Sequence, residues 1–277
     1  MKLSLGLSTC PNDTFLFHGL LAHQIADPEV ELDLHLMDIQ ELNDRLLARS
    51  LDVAKASFHA ALFLSRSHVV LPVGSALGFG VGPLLLSSDE GVRPDPHDVV
   101  LCPGKDTTAT LLLKILHPEL KRIEHCNFAA IMPALKARRR TFGVVIHEGR
   151  FTYRDHGLYR VEDLGDRWEK STQSPLPLGG LLARNDLPAS TLAGLCNLLR
   201  RSLALAHADR GAALQTMRRH ASEMKDEILW AHVELYVNDC TRDLGESGGR
   251  ALGRLHQAAK DAGLLPGGQP PLTIVCA

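Results

Sequence analysis

Residues 80–90 read GVGPLLLSSDE, and residues 176–186 read LPLGGLLARND. Each stretch places Gly and Pro before three apolar residues and ends in polar residues. A short apolar run after such a turn is typical of a buried strand. Two similar strands about a hundred residues apart are what a two-lobed protein needs where its chain crosses to a second lobe and returns. We therefore expect a larger lobe from residues 1–87 and 178–277 and a smaller lobe from residues 88–177.

The sequence around these segments indicates an α/β fold. Alternating apolar residues or short apolar runs predict strands at residues 2–8, 29–37, 51–57, 69–73, 99–102 and 142–146. Helical spacing predicts helices at residues 14–22, 59–65, 107–116, 132–139, 192–207, 212–220, 222–237 and 246–262. The alternation of strands and helices favours mixed, mostly parallel sheets with flanking helices. We expect two hinge strands, with residues 82–86 and 179–183 running side by side between the lobes.

Composition excludes several classes of protein. The 277 residues are 45% hydrophobic and 22% charged, with a net charge of -2, so no nucleic-acid partner is expected. A basic cluster at residues 136–140 follows a helical run and fits a solvated helix end. No apolar run is long enough to cross a membrane, and the first residues lack a secretory signal. The six cysteines form no CxxC pair and fit free thiols. We expect a cytoplasmic protein without a membrane partner; the oligomeric state is left open.

Several nucleotide- and metal-binding motifs are approached but not matched. The glycines at 78, 80 and 82 have the wrong spacing for a dinucleotide fingerprint and lead into a strand. Gly104-Lys105 lacks the upstream Gly and the Ser/Thr of a phosphate-binding loop. The dipeptide His147-Glu148 is followed by Phe151 where a zinc protease has its second His. The fourteen histidines do not cluster at ligand spacing, so no metal is expected.

Four segments that each follow a predicted strand are candidates for a binding site. In a parallel sheet, the carboxyl ends of the strands line the binding crevice. The candidates are the loop with Asn12 and Asp13, the strand end Lys55-Ala56-Ser57, the helix start Thr107-Thr108-Ala109, and His147 at the end of a buried strand.

Each candidate also has a purely structural explanation. Asn12 or Asp13 can cap the helix that follows. A lysine is rarely buried without a partner, so Lys55 at the end of an apolar strand face calls for one. The hydroxyl residues after Gly104 can cap a helix or leave free N–H groups that suit an anion. A His at a strand end is more often structural than catalytic. Their common position at one sheet edge favours a shared site.

The motifs together resemble a known family. SxCPNDTFxF, Lys-x-Ser, G-x-G-V-G-P, Gly-x-x-Thr-Thr-Ala, WAHVELYVND and above all IHEGRFTY are similar to those of 1,4-dihydroxy-6-naphthoate synthases. The resemblance covers the whole chain. It implies a two-lobed fold like that of type 2 periplasmic binding proteins. It also implies cleavage of a small-molecule substrate, cyclic dehypoxanthine futalosine, to 1,4-dihydroxy-6-naphthoate and dihydroxyacetone in menaquinone biosynthesis.

The same resemblance implies roles for particular residues. His147 would be the proton acceptor, Lys55 to Ser57 and Thr107 to Ala109 would contact substrate, and no cofactor would be needed. A neutral imidazole can accept a proton at cytoplasmic pH. Two alternatives stay open at this point: a non-catalytic solute-binding protein, and a chorismate dehydratase of the same pathway and a similar fold.

Overall fold

The structure is a computed structural model that describes residues 1–221 and 225–275. The strands in these residues are β1 (Lys2–Ser8), β2 (Glu31–Met37), β3 (Val53–Ser57), β4 (His68–Val70), β5 (Ala76–Gly78), β6 (Leu84–Ser87), β7 (Val100–Cys102), β8 (Ile123–His125), β9 (Phe142–Val145), β10 (Tyr159–Asp163) and β11 (Leu176–Arg184). The α-helices are α1 (Pro11–Leu16), α2 (His18–Leu21), α3 (Ile39–Leu47), α4 (Phe58–Leu64), α5 (Thr108–Leu116), α6 (Phe128–Lys136), α7 (Gly149–Thr152), α8 (Leu164–Thr172), α9 (Ala189–Ala208), α10 (Arg210–His220), α11 (Asp226–Tyr236), α12 (Asp239–Arg242) and α13 (Gly245–Asp261). A short 3₁₀ helix spans Tyr153–His156.

The strands form two sheets. The first has the order β2-β1-β3-β11-β4, with β5 also paired to β11, and the second has the order β10-β6-β9-β7-β8. Strands β1, β2 and β3 are mutually parallel, and β7 is parallel to both of its neighbours. In the described chain, β11 alone runs against the other strands of the first sheet, and β6 alone runs against those of the second. The predicted α/β fold with mixed, mostly parallel sheets is confirmed.

The two reversed strands are those of the matched segments 80–90 and 176–186. Every residue of β6 is buried, and β11 is buried over most of its length, because each lies inside its sheet between two other strands. The likeness of the two segments thus reflects a common environment: each is a buried strand that enters the middle of a sheet. It does not reflect pairing between them.

The prediction that residues 82–86 run beside residues 179–183 is wrong. Strand β6 pairs with β9 and β10, whereas β11 pairs with β3, β4 and β5. The strand beside the first half of β11 is β5, with Gly78 opposite Leu176 and Ala76 opposite Gly179. Residues 84–87, assigned to the first lobe from the sequence, therefore belong to the second sheet. Which residues move together as lobes stays a prediction.

Most long elements match their predictions within a few residues, but some differ in kind. The predicted helix at 14–22 is two short helices, α1 and α2. The helix predicted at 132–139 begins earlier, at Phe128. The helix predicted at 222–237 is α11, and residues 222–224 lie outside the described residues. Elements β5, β8, β10, α7, α8 and α12 were not predicted, because very short elements, a polar strand such as β10 and a polar helix such as α8 carry little hydrophobic periodicity.

Two glycines meet where the chain crosses between the sheets. Gly82 precedes β6, and Gly165 lies in the first turn of α8. A Cβ atom on Gly82 would lie 2.2 Å from the Gly165 Cα, and one on Gly165 would lie 2.5 Å from the Gly82 Cα. Because both contacts are with backbone, neither can be relieved by a side-chain rotation, so the crossing requires glycine at both positions.

We expect Gly165→Ala to lower the free energy of unfolding by about 1–3 kcal/mol, as overpacking of a tight contact does. The control is Gly253→Ala in α13, where an added Cβ meets nothing within 4 Å and where Ala should stabilise the helix by about 0.5–1 kcal/mol. Urea unfolding of both variants measures the difference. Equal stabilisation by the two substitutions would contradict the close backbone contact.

Candidate active site

A cavity of about 650 Å³, including its solvent-open mouth, is lined by residues of the first sheet and by segments that precede or follow strands of the second. Strands β1 and β3 end at it with Ser8 and Ser57, and β9 ends just before Ile146 and His147. The start of α5 forms another part of its wall. The carboxyl ends of parallel strands therefore meet at this cavity, as expected for ligand sites in open α/β sheets.

Eight of the nine residues proposed from the sequence line this cavity: Asn12, Asp13, Lys55, Ser57, Thr107, Thr108, Ala109 and His147. Ala56 does not. Successive side chains of a strand point to opposite faces, so Ala56 points away from Lys55 and Ser57. It is fully buried in the hydrophobic core. The side chain of Ala56 is therefore removed from the candidate site.

Lys55 and Asp13 form a buried ion pair beside the cavity. The Lys55 Nζ donates to Asp13 Oδ1 at 2.7 Å and to the Gly74 carbonyl at 2.8 Å. Asp13 also accepts hydrogen bonds from Ser8 Oγ at 2.6 Å and from Asn12 Nδ2 at 2.8 Å. Lys55 is 5% exposed and Asp13 is 1% exposed. Lys55 is thus buried because it has an anionic partner.

The first loop does not cap α1 as the sequence suggested. The cap residue is Cys10, whose side chain makes no capping hydrogen bond, and Asn12 and Asp13 lie inside the first turn. The carboxylate that could have capped the helix is instead taken up by Lys55, Ser8 and Asn12. An ion pair with a buried ammonium group is stronger than a hydrogen bond to a backbone N–H.

The two threonines at the start of α5 use their hydroxyl groups within the protein. Thr107 caps the helix by accepting from the Thr110 N–H, and its hydroxyl donates to the Gly104 carbonyl. The Thr108 hydroxyl donates to the Leu178 carbonyl at 2.6 Å. Since the first N–H groups of a helix have no intrahelical acceptor, the N–H groups of Thr108 and Ala109 are the free donors of this segment. The capping role is confirmed.

Ser57 lies close to these groups. Its hydroxyl accepts from Asn43 Nδ2 at 3.3 Å, and its N–H donates to Asn43 Oδ1 at 2.9 Å. Asn43 also reaches the Asp106 carbonyl in the loop before α5, at 3.4 Å. Asn43 therefore connects the end of β3 in the first sheet to the loop that follows the second sheet's β7.

His147 occupies an unusual backbone conformation at the cavity wall. Its φ is +55°, in the left-handed region that residues with a side chain rarely adopt. The half-buried ring lies 3.4 Å from the Cys10 Sγ at Nδ1 and meets the ring of Phe128 edge-on, with 5.0 Å between centroids. Such strain is found where the surrounding structure fixes a functional side chain.

The imidazole of His147 is held in its neutral form. Burial lowers the pKa of His147 from its ordinary value, because removing water disfavours the imidazolium. The carboxylates of Glu148, Asp13 and Asp38 act in the opposite direction but have the smaller effect. At neutral pH the ring can therefore accept a proton.

Among the residues of the cavity wall that sequence reasoning missed are two with titratable side chains, His232 and Tyr236. Both lie on α11, four residues apart and hence on one face of the helix. They fall in the stretch WAHVELYVND, which supported the resemblance but was given no role in the site. The i, i+4 spacing of two polar aromatic rings on the buried face of a helix was the available signal.

Other chemical features can be stated for the described residues. No group of three or more His, Cys, Asp or Glu side chains in residues 1–221 and 225–275 could hold a metal ion. The five cysteines in this part of the chain are free thiols, and Cys276 lies outside the described residues. None of the described helices is both long and apolar enough to cross a membrane.

Two mixed sheets with a cavity between them define a class of proteins with a periplasmic-binding-protein-like fold. Solved structures bear this out. The ligand-binding component of an ABC-type import system from Staphylococcus aureus is 16% identical, with a TM-score of 0.69 and coverage of 98% of this chain and 94% of that one. The alkanesulfonate-binding protein of Xanthomonas axonopodis pv. citri is 14% identical, with a TM-score of 0.66 and coverage of 96% and 94%. At these identities the likeness concerns the fold alone.

More specific likenesses define the family. A protein of Archaeoglobus fulgidus is 29% identical over 95% of this chain and 98% of its own, with a TM-score of 0.89. The 1,4-dihydroxy-6-naphthoate synthase of Thermus thermophilus is 41% identical over 98% of this chain and 99% of its own length. The protein of the same name from Streptomyces coelicolor is 36% identical over 95% of each.

The family described as menaquinone biosynthesis matches residues 3–261. This chain belongs to that family. The resemblance found in the sequence is thereby confirmed, as is the prediction that the chain is an enzyme with a role in the menaquinone pathway.

We expect Lys55→Met to lower the free energy of unfolding by about 3–5 kcal/mol, because it leaves the Asp13 carboxylate buried without its cationic partner. The double variant Asp13→Asn/Lys55→Met removes both charges and should recover most of this loss. Lys170→Met is the control, since its pair with Asp166 is exposed and contributes little. Chemical denaturation measures all three. A double variant no more stable than Lys55→Met would contradict the burial of an unpaired charge as the cause.

Proposed function

We propose that this chain cleaves cyclic dehypoxanthine futalosine to 1,4-dihydroxy-6-naphthoate and dihydroxyacetone, with His147 as the general base. The observation that carries the proposal is a neutral imidazole in the wall of a cavity that is also lined by a helix N-terminus. The names of the Thermus and Streptomyces relatives support the product. We place the reaction in the cytoplasm, which the free thiols of the described chain fit.

The cavity offers a site for the carboxylate that substrate and product share. The N–H groups of Thr108 and Ala109 at the start of α5 are free, and the positive end of the helix dipole favours an anion there. The Ser57 hydroxyl lines the same cavity. We assign the carboxylate to this group of donors. Lys55 contributes less positive charge to the cavity than a lone lysine would, since Asp13 neutralises it.

The apolar part of the cavity suits the ring system that becomes aromatic. Ile39, Val81, Pro83, Ile146 and Leu178 all line it. With the carboxylate bound at α5, a rigid ring would lie along this apolar surface and present its reacting carbons toward His147. Holding the reacting groups in one geometry is a large part of what such a site contributes to the rate.

The proposed chemistry balances without an added reagent. His147 removes one proton from the substrate, a carbon–carbon bond breaks, and its electron pair leaves one fragment with negative charge. The imidazolium of His147 then returns the proton to that fragment. The formation of an aromatic ring drives the cleavage, so the protein has to position the base, exclude water and stabilise the developing charge.

One assay separates this function from its alternatives. Purified protein is incubated in parallel with cyclic dehypoxanthine futalosine and with chorismate, and products are identified by absorbance and mass. We expect 1,4-dihydroxy-6-naphthoate and dihydroxyacetone from the first substrate and no product from the second. Dehydration of chorismate would indicate the sister activity, and binding of either compound without turnover would indicate a solute-binding protein.

The His147→Asn variant tests the base. Asn tolerates the left-handed backbone that residue 147 adopts, so the fold should be kept. Its amide can form a hydrogen bond but cannot accept the proton. Turnover should therefore fall by at least about 10²-fold, and the affinity for the product should change much less. Single-turnover rates and product inhibition measure the two effects. Near-normal chemistry in this variant would mean that another group is the base.

The pH dependence of the rate follows from the lowered pKa of His147. Acidification protonates the imidazole and removes its acceptor lone pair, so kcat/KM falls as pH decreases through this pKa. Because burial lowers the pKa, the neutral base persists to lower pH than for a histidine in water, and the acid limb should lie below about 6.5. Initial rates across the acidic range locate the limb. A limb above the ordinary histidine pKa would argue against a desolvated His147 as the base.

A further inference from the structure

His232 is a buried histidine without a hydrogen-bond partner. It lies on α11, is 1% exposed and lines the cavity. Neither ring nitrogen has a partner in the described part of the chain, and Nδ1 is fully buried. Buried polar groups in proteins are nearly always hydrogen-bonded, so an unpaired imidazole in a cavity wall indicates that a ligand supplies the missing partner.

Two other buried histidines show what a structural histidine looks like in this protein. His18 has an unpaired Nε2, but its Nδ1 lies 2.8 Å from the Thr216 hydroxyl. His68 likewise has an unpaired Nε2, while its Nδ1 lies 2.9 Å from the Ser67 hydroxyl. Neither lines the cavity. His232 differs from both, because both of its nitrogens are unpaired and it lines the site.

The surroundings of His232 keep it neutral. Its ring is stacked on that of His147 with 5.9 Å between centroids, and the ring of Tyr236 lies 4.5 Å away. Burial, together with the proximity of His147, lowers the pKa of His232 to about 3. A neutral imidazole has one N–H donor and one acceptor nitrogen, so His232 can donate a hydrogen bond without carrying charge.

We propose that His232 is a second catalytic residue, whose N–H donates a hydrogen bond to the substrate oxygen on which negative charge develops as the carbon–carbon bond breaks. The assignment rests on the proposed function. No proton is transferred to or from His232. A donor fixed in a site that excludes water stabilises such an oxygen strongly, because it need not reorient as the charge appears.

The neutrality of His232 matters for the base beside it. A positive charge 5.9 Å from His147 would oppose protonation of that ring and so weaken it as a base. A neutral N–H donor stabilises the anionic fragment without this penalty. The two stacked imidazoles therefore have different roles. That of His147 gains a proton, and that of His232 stays uncharged and donates a hydrogen bond to oxygen.

The test compares His232→Leu, His232→Asn and His232→Gln with the control His68→Leu. Leu is similar in size to His but is apolar and lacks both nitrogens. Asn places an amide N–H near the position of Nδ1, and Gln places one near the position of Nε2. His68 lies opposite Arg184 at the far end of β11 from Gly179 and the cavity. For each variant, kcat and KM on cyclic dehypoxanthine futalosine and the free energy of unfolding are measured.

We expect His232→Leu to lower kcat by about 10²–10³-fold with a much smaller change in KM, as the loss of a transition-state hydrogen bond does. At least one amide variant should return kcat to within about tenfold of wild type. His68→Leu should change stability but not kcat. Wild-type kcat in His232→Leu would overturn the proposed role of His232 as a hydrogen-bond donor. An equal loss of kcat in all three His232 variants, together with a loss of stability, would also overturn it.

The two proposals fail in distinguishable ways. A wild-type protein that leaves cyclic dehypoxanthine futalosine intact overturns the proposed function and this assignment with it. A wild-type protein that cleaves it, alongside a fully active His232→Leu, overturns only the role of His232. Loss of kcat in His147→Asn together with wild-type kcat in His232→Leu likewise overturns the role of His232 and leaves His147 as the proposed base.

Discussion

The ion pair between Lys55 and Asp13 is the contact on which the geometry of the cavity depends. It joins the end of β3 to the loop after the neighbouring strand β1, and a carbonyl from a third segment, that of Gly74, completes it. Two charges buried this deeply are stable only together, so the three segments hold one another in place. The loop fixed in this way also carries Cys10, whose sulfur lies 3.4 Å from the His147 ring. The position of His147, the proposed base, thus depends on a salt bridge that its ring does not touch.

The charges around the cavity are arranged so that few remain free. Lys55 and Asp13 cancel each other, and burial keeps His147 and His232 neutral. Among the described residues that line the cavity, what is left is the positive end of the α5 dipole, an attraction for one anion at one place. A site with a single such attraction orients an anionic substrate, because a reversed substrate would leave its carboxylate against an apolar wall. The low local dielectric of a buried cavity also makes each hydrogen bond there stronger than it would be in water.

The sequence predicted the parts of the fold that depend on local patterns. Strand β1 and helix α5 follow from the periodicity of their apolar residues, and eight of nine proposed site residues line one cavity because strand ends in a parallel sheet converge. It failed where the answer depends on distant partners. Nothing within residues 80–90 indicates that β6 pairs with β9 and β10. Likewise, the buried Lys55 indicated a partner without identifying Asp13, and His232 lies some 85 residues from the ring it stacks on.

The same fold serves proteins named for binding, so the difference between holding a molecule and cleaving it must lie in a few side chains. A binding site needs donors and acceptors that match a ground state, and those are normally satisfied or solvated when it is empty. Here the cavity is lined by His147, whose backbone is in the left-handed region, and by His232, whose imidazole has no hydrogen-bond partner in the described residues. Both features cost stability in the folded protein, and neither improves packing. The unpaired imidazole of His232 is explained if its partner appears only as a substrate reacts, which is the condition for lowering a barrier rather than tightening a complex.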